Sequence, residues 1–315
     1  MAVFRTILGD VDVKEMGFTL VHEHLITCPP NSIIKGDPDL LVDDVTKPVQ
    51  ELSLYKNAGG KTFVEMTPHH YGRNVPVMVD ASQKTGIHVI ATTGYLKGAY
   101  FPKEIEDWSV TQIADYMISE VLEGMDGTDQ KAGVIKCGSS HNFISDLEKK
   151  VFRAAVIASK ETGAPVSTHT EQGTMGVEQV EYVISQGLDP SRMIVAHVDI
   201  NPDYYLHRKM VSLGAYIIHD GPSKVKYGTD AGIIEIMRKL VEDGFANRMM
   251  LSCDMGRRKY WKSYGGGPGF TYILEKFVPR LIDEGFDPAV VDLFTIKNPA
   301  EAFAFYGCEG SNERL

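Results

Sequence analysis

Val21-His22-Glu23-His24-Leu25 places two imidazoles one residue apart at the end of an apolar run, and four later runs end in a similar way. Lys136 lies near the end of 132–137, His169 ends 165–169, His197 ends 193–197 and Asp254 ends 249–254. Buried strands should avoid such residues. Side chains two apart on a strand share a face, so His22 and His24 can enter one cavity together. Imidazoles and a carboxylate are borderline-to-hard donors that suit zinc and similar divalent cations. One HxH pair means little, since such pairs are often incidental. Six such residues on five runs point to a metal site rather than to core histidines with an outward-snorkelling lysine. Lys136 is the odd member, because an ammonium beside cations would be repelled. Either a neutral amine or a carbamate formed with carbon dioxide would resolve the conflict, and the spacing does not separate the two.

The elements that must carry these residues alternate. Apolar, β-branched runs at 18–24, 62–66, 88–93, 132–137, 165–169, 193–197, 214–218 and 249–254 read as parallel strands covered on their outer face. Between them, 45–58, 80–85, 111–123, 145–162, 176–186, 202–212, 231–243 and 271–284 read as helices, several ending at a glycine, and 288–305 packs the C-terminus. Strand and helix repeated eight times predict an α/β (β/α)8 barrel, a TIM barrel, formed by residues 1–315 as one domain. An open doubly wound sheet is the alternative, weakened by the lack of GxGxxG after the first strand. In a barrel, the strand ends converge where barrel enzymes place their catalytic groups.

Bulk properties restrict the function further. In 315 residues, 43% are hydrophobic and 23% charged, with a net charge of −10, which argues against a general nucleic-acid binder. No run approaches the roughly 18 apolar residues of a membrane span, and the N-terminus lacks the pattern of a secretory signal. Four cysteines (Cys28, Cys137, Cys253 and Cys308) without a CxxC pair read as reduced thiols, so a cytoplasmic location is expected. Cys137 and Cys253 neighbour proposed ligands, and burial beside the site is favoured over ligation.

The ordered set VHEHL (21–25), GVIKCG (133–138), STHTEQG (167–173), AHVD (196–199) and SCD (252–254) resembles the phosphotriesterase family of the amidohydrolase superfamily. Gly72-Arg73 and GYLKGAYFP (94–102) fit its phosphotriesterase-homology and lactonase branch, and the resemblance covers nearly the whole chain. It implies a distorted barrel with two metals. His22, His24 and Asp254 would hold the more buried ion, and His169 and His197 the more exposed one. Lys136, as N6-carboxylysine, would bridge them with a hydroxide that attacks the substrate. Asp254 would take the proton and deliver it to the leaving group. Asp199 would orient His197, relay the proton, or stand as an exposed structural carboxylate. Tyr95 would hydrogen-bond the leaving oxygen or simply pack. Zinc is the first choice of metal, with manganese, cobalt and iron also suited, and a homodimer is expected.

Two loops bear on the substrate. After the last strand run, Arg257, Arg258, Lys259 and Lys262 fall within six residues, with Tyr260 among them, and after the seventh come Lys224 and Lys226. Loops at these positions often form a phosphate site in barrels. With Tyr95, the expected substrate-binding residues are Lys224, Lys226, Arg257, Arg258 and Tyr260. They point to a phosphorylated or otherwise anionic sugar lactone, unless the charges form a solvated surface. Gly265–Gly269 would be either a mobile closing loop or a connection to the final helix. His69, His70, His141 and His219 have no forced role. The rival activities are an N-acyl-homoserine lactonase and a promiscuous phosphotriesterase. A non-catalytic metal-binding barrel is a third reading, and it leaves Asp254 unexplained.

Overall fold

The structure, a computed structural model, describes residues 2–305; Cys308 lies outside the described residues. A hairpin of β1 (Val3–Thr6) and β2 (Gly9–Asp12) precedes eight parallel strands. These are β3 (Thr19–Glu23), β4 (Thr62–Glu65), β5 (His88–Gly94), β6 (Val134–Ser139), β7 (Val166–Thr170), β8 (Met193–Val195), β9 (Tyr216–His219) and β10 (Met249–Leu251). Each pairs with the next in chain order, with helices between, as the sequence predicts for a (β/α)8 barrel. The order never reverses, which removes the doubly wound alternative.

Two apolar layers hold the barrel. Phe4, Met16, Val64, Ile90, Val134, Ile194, Ile218 and Met250 form one buried cluster. Phe63, Val89, Ile135, Val166, Val195, Ile217 and Leu251 belong to a second, shared with the helices. Alternate residues of a strand thus pack on opposite faces, so each strand is apolar throughout. The hairpin was not anticipated; Phe4 enters the first cluster, and Phe305 N–H donates to Val3 O (2.8 Å).

Local signals set the helix bounds. Ser145 with Glu148 and Ser109 with Gln112 form capping boxes ahead of Asp146–Thr162 and Val110–Leu122. The helix expected over 80–85 begins earlier, at Val75, because Asn74 caps it and Pro76 suits its first turn. The two C-terminal helices each contain a π-helical turn, Ile273–Phe277 and Leu293–Lys297.

Strands β10 and β3 stand at the two ends of the sheet order, and side chains close the gap between them. Ser252 Oγ accepts from His22 N–H (3.0 Å) and lies 2.8 Å from Glu23 Oε1. Glu23 also accepts from the backbone N–H of Cys253 (2.7 Å), Asp254 (3.1 Å) and Met255 (2.8 Å). Burial pushes the Glu23 carboxyl up to about 7, against the pull of these hydrogen bonds. Glu23→Ala would strand the N–H groups of Cys253 and Met255, while Asp254 N–H keeps His22 O (3.2 Å), so stability should fall by about 2–5 kcal/mol. The thermal midpoint should drop by roughly 10 °C. A midpoint within about 2 °C of wild type would mean that the seam closes without Glu23.

Candidate metal centre and substrate cleft

The six residues singled out by type and position all line one cleft of about 170 Å³ at the C-terminal mouth of the barrel. One candidate donor atom each from His22, His24 and Asp254 lie within 4.8 Å of one another, as do those of His22, His197 and Asp220. The His197 ring centroid is 4.7 Å from that of His22 and 4.6 Å from that of His169. His22 is buried, and neither of its ring nitrogens has a hydrogen-bond partner. Buried polar atoms are rarely left so without a reason.

His24 provides a second sign. The Thr67 hydroxyl donates to Glu65 and so accepts from His24 Nδ1 (2.8 Å). That leaves the Nε2 lone pair 3.3 Å from Asp254 Oδ1. Two acceptors facing each other need a cation between them, and this donor set fits a divalent one. Lys136 is buried, and its Nζ donates to Met66 O (2.8 Å). Burial pulls this amine down to about 8. The carboxylate of Glu171 engages both His169 Nε2 (2.9 Å) and Lys97 at one edge of the cleft.

Behind the histidines stand carboxylates whose role sequence reasoning missed. Asp220, just beyond β9, accepts from His197 Nδ1 (3.0 Å) and from His197 N–H (3.2 Å). Asp199 is buried rather than exposed and does not orient the imidazole directly. It accepts from the backbone N–H of Asp220 (3.2 Å) and Gly221 (2.7 Å), so it positions the segment that carries Asp220. Burial, then the neighbouring Asp220, pushes the Asp199 carboxyl up to about 7. Two ligand candidates sit on left-handed backbone, His197 at φ 63° and Asp254 at φ 45°.

The expected substrate contacts divide. Lys224, Arg257 and Tyr260 line the cleft. Lys224 Nζ is buried, 3.2 Å from Asp254 Oδ2 and 3.3 Å from Asp254 O. Burial opposes its charge, but Asp254, Asp220 and Asp199 hold its pKa above the ordinary value. Arg257 pairs through Nη1 with Asp37 (2.7 Å). Tyr95, Lys226 and Arg258 are not in the lining. The Tyr95 ring stacks on His70 (5.3 Å) and faces a separate cavity. Lys226 lies over Tyr227 (4.3 Å), and Arg258 pairs with Asp43. Their places are taken by Leu96, Lys97 and Tyr100 from the 94–102 segment and by Tyr71.

The remaining candidates are also placed. His69 pairs with Asp126 (2.8 Å), and the buried His219 faces His207 (5.6 Å). Cys137 and Cys253 are buried, as expected. Gly266, Gly267 and Gly269 are tied by backbone hydrogen bonds to Trp261, Lys259 and Tyr260 on the way to the final helix.

A (β/α)8 barrel with a possible His/Asp metal site in a cation-bearing cleft defines the class of protein. The chain belongs to the phosphotriesterase family, which it matches over residues 2–303. It is similar to a lactonase from Listeria monocytogenes, at 35% identity and a TM-score of 0.93 over 97% of this chain and 100% of that one. The phosphotriesterase homology protein of Escherichia coli, solved with phosphate in its active site, is 39% identical at a TM-score of 0.88, over 92% and 99% of the two chains. A phospho-furanose lactonase from Mycoplasmopsis agalactiae is 34% identical over 323 residues, covering 96% of this chain and 91% of that one.

If Asp220 orients His197 for a metal, Asp220→Ala should weaken metal retention about 10–100-fold in competition with a chelator. Unchanged retention would assign Asp220 to the fold alone.

Proposed function

We propose that this chain is a binuclear metal-dependent lactonase that opens a phosphorylated or otherwise anionic sugar lactone. The observation that carries the reading is one cleft lined both by the six metal-type residues and by Lys224, Arg257 and Tyr260. Its relatives named phospho-furanose lactonase, and the phosphate in the active site of the E. coli relative, support it. A neutral triester or an apolar acyl-homoserine lactone would gain little from such a lining.

His22, His24 and Asp254 would hold one divalent ion and His169 and His197 the other, with zinc, manganese, cobalt or iron all compatible with these donors. Such ions, when bound, would supply a Lewis acid for the ester carbonyl and a water activated near neutral pH. Lys136 would join them as a carbamate: its amine nitrogen adds to carbon dioxide, a C–N bond forms and one proton leaves. That would turn a repelled cation into an anionic donor for the ions.

The chain's own groups then do three things. Asp254 accepts one proton of the attacking water and returns it to the ring oxygen; the C–O ester bond breaks to a hydroxyl and a carboxylic acid, which releases its own proton to solvent as the carboxylate. Lys224, beside both the backbone and the side chain of Asp254, keeps that carboxylate charged and oriented. Arg257, anchored by Asp37, presents a guanidinium to the anion of the substrate.

Elemental analysis of gently purified protein should find about two divalent ions per chain, and none would overturn the reading. Arg257→Ala should lower kcat/KM for a phosphorylated aldonolactone by about 10–100-fold, with a much smaller effect on its unphosphorylated form. Equal losses on both, or a wild-type preference for long-chain acyl-homoserine lactones, would favour the rival activities.

A further inference from the structure

A second cavity of about 600 Å³ adjoins the cleft and opens onto the same His169, His197 and Asp254, and its lining differs in kind. Lys97, Lys224 and Arg257 line the cleft, whereas the second lobe has no lysine or arginine among its described lining residues. His141, Gln172, Thr174 and Asn201 contribute there instead, while Glu171 and Tyr227 are shared with the cleft. Among the described residues, neither the Gln172 nor the Asn201 side-chain amide is engaged by a hydrogen bond.

The backbone holds these amides in place at some strain. Gln172 has φ 51°, a left-handed conformation that a non-glycine residue seldom adopts, and Asn142, Met175 and His197 nearby have φ 59°, 66° and 63°. The following Gly173 is pressed so closely against Asn201 that a Cβ there would lie 2.6 Å from Asn201 N. The backbone at Gly173, next to Gln172, is thereby packed against Asn201, and the Gln172 side chain is exposed at the lobe. Backbone strain concentrated around an open cavity beside reactive groups is a sign of function rather than of packing.

We infer that this lobe is a subsite for the uncharged, hydroxyl-bearing acyl side of the substrate, read by Gln172 and Asn201. The assignment rests on the lactonase reading above. With the anion at the Lys224–Arg257 end and the ester carbonyl among the metal-type residues, what remains lies beyond the carbonyl, on the side of its α-carbon. A primary amide offers both a donor and an acceptor, which matches a hydroxyl, also both. An apolar or charged substituent would gain nothing from these groups. A site built to hydrogen-bond a hydroxyl discriminates against the analogue that lacks it.

The test uses the metal-loaded full chain and three lactones: a phosphorylated 1,4-aldonolactone, its analogue lacking only the α-hydroxyl, and the unphosphorylated parent. Wild type should favour the α-hydroxy over the α-deoxy phosphorylated lactone by about 10-fold in kcat/KM, and the ratio should fall to about 2 in Gln172→Gly with Asn201→Ala. Glycine suits the left-handed backbone at 172, and an unchanged thermal midpoint would show that the fold is kept. A wild-type ratio near 1, or a ratio that survives the double substitution, would overturn the subsite. If the phosphorylated lactones were still favoured over the unphosphorylated one, the lactonase reading would stand without it. Hydrolysis of none of the three would overturn both.

Discussion

The buried carboxylate of Glu23 gathers the backbone N–H groups of Cys253, Asp254 and Met255 where the last strand of the barrel meets the first. A parallel barrel leaves such groups without partners unless its ends pair, and an unpaired buried N–H is costly. Glu23 meets that need from between His22 and His24 in sequence. The contact that closes the cylinder therefore also brings Asp254 to His24, from the far end of the chain. The left-handed backbone of Asp254 is tolerable because its N–H groups and its neighbours' are held from the opposite strand.

The same device recurs around the mouth. Glu65 takes the Thr67 hydroxyl, which orients His24, and Asp199 takes the backbone of Asp220 and Gly221, which sets Asp220 against His197. Each carboxylate fixes which imidazole nitrogen faces the cleft, and in that way a site holds its ligands ready. The acids are buried beside two equally buried lysines, Lys136 and Lys224. Burial raises the pKa of Glu23, Glu65 and Asp199 to about 7, against the hydrogen bonds that each accepts.

Strand-end position was the legible signal. His22, His24, Lys136, His169, His197 and Asp254 stood out because polar residues interrupt apolar runs there, and the barrel brings them to one cleft. Of the carboxylates behind them, Asp220 escaped notice and the contact made by Asp199 was not foreseen, for separate reasons. Asp220 lies beyond the run ending at 218, while β9 continues through His219. Asp199 acts on backbone, which leaves no pattern in side-chain types. Tyr95 lies outside the cleft lining for a geometric reason. Gly94 ends β5 at φ 90°, where a Cβ would meet Lys136 O at 2.2 Å, so two-residue alternation does not extend past it. Tyr95 turns to His70, and Leu96 reaches the cleft instead.

The cationic loop shows what local charge counting omits. Of its basic residues, Arg258 pairs with Asp43, Lys259 with Asp39 (3.0 Å) and Lys262 with Glu275 (3.2 Å). Asp39 and Asp43 come from a segment distant in sequence and Glu275 from the helix that follows, so most of the loop becomes a strap between elements, worth little as isolated surface pairs. Arg257 differs because it is anchored by Asp37 on one side and still lines the cleft. The adjoining lobe adds the amides of Gln172 and Asn201, and the two cavities share His169, His197 and Asp254. On the proposed lactonase reading, a mouth with its cations at one end would take an anionic substrate in one orientation only, because reversal would leave the anion unpaired beside Gln172 and Asn201 and close to Glu171.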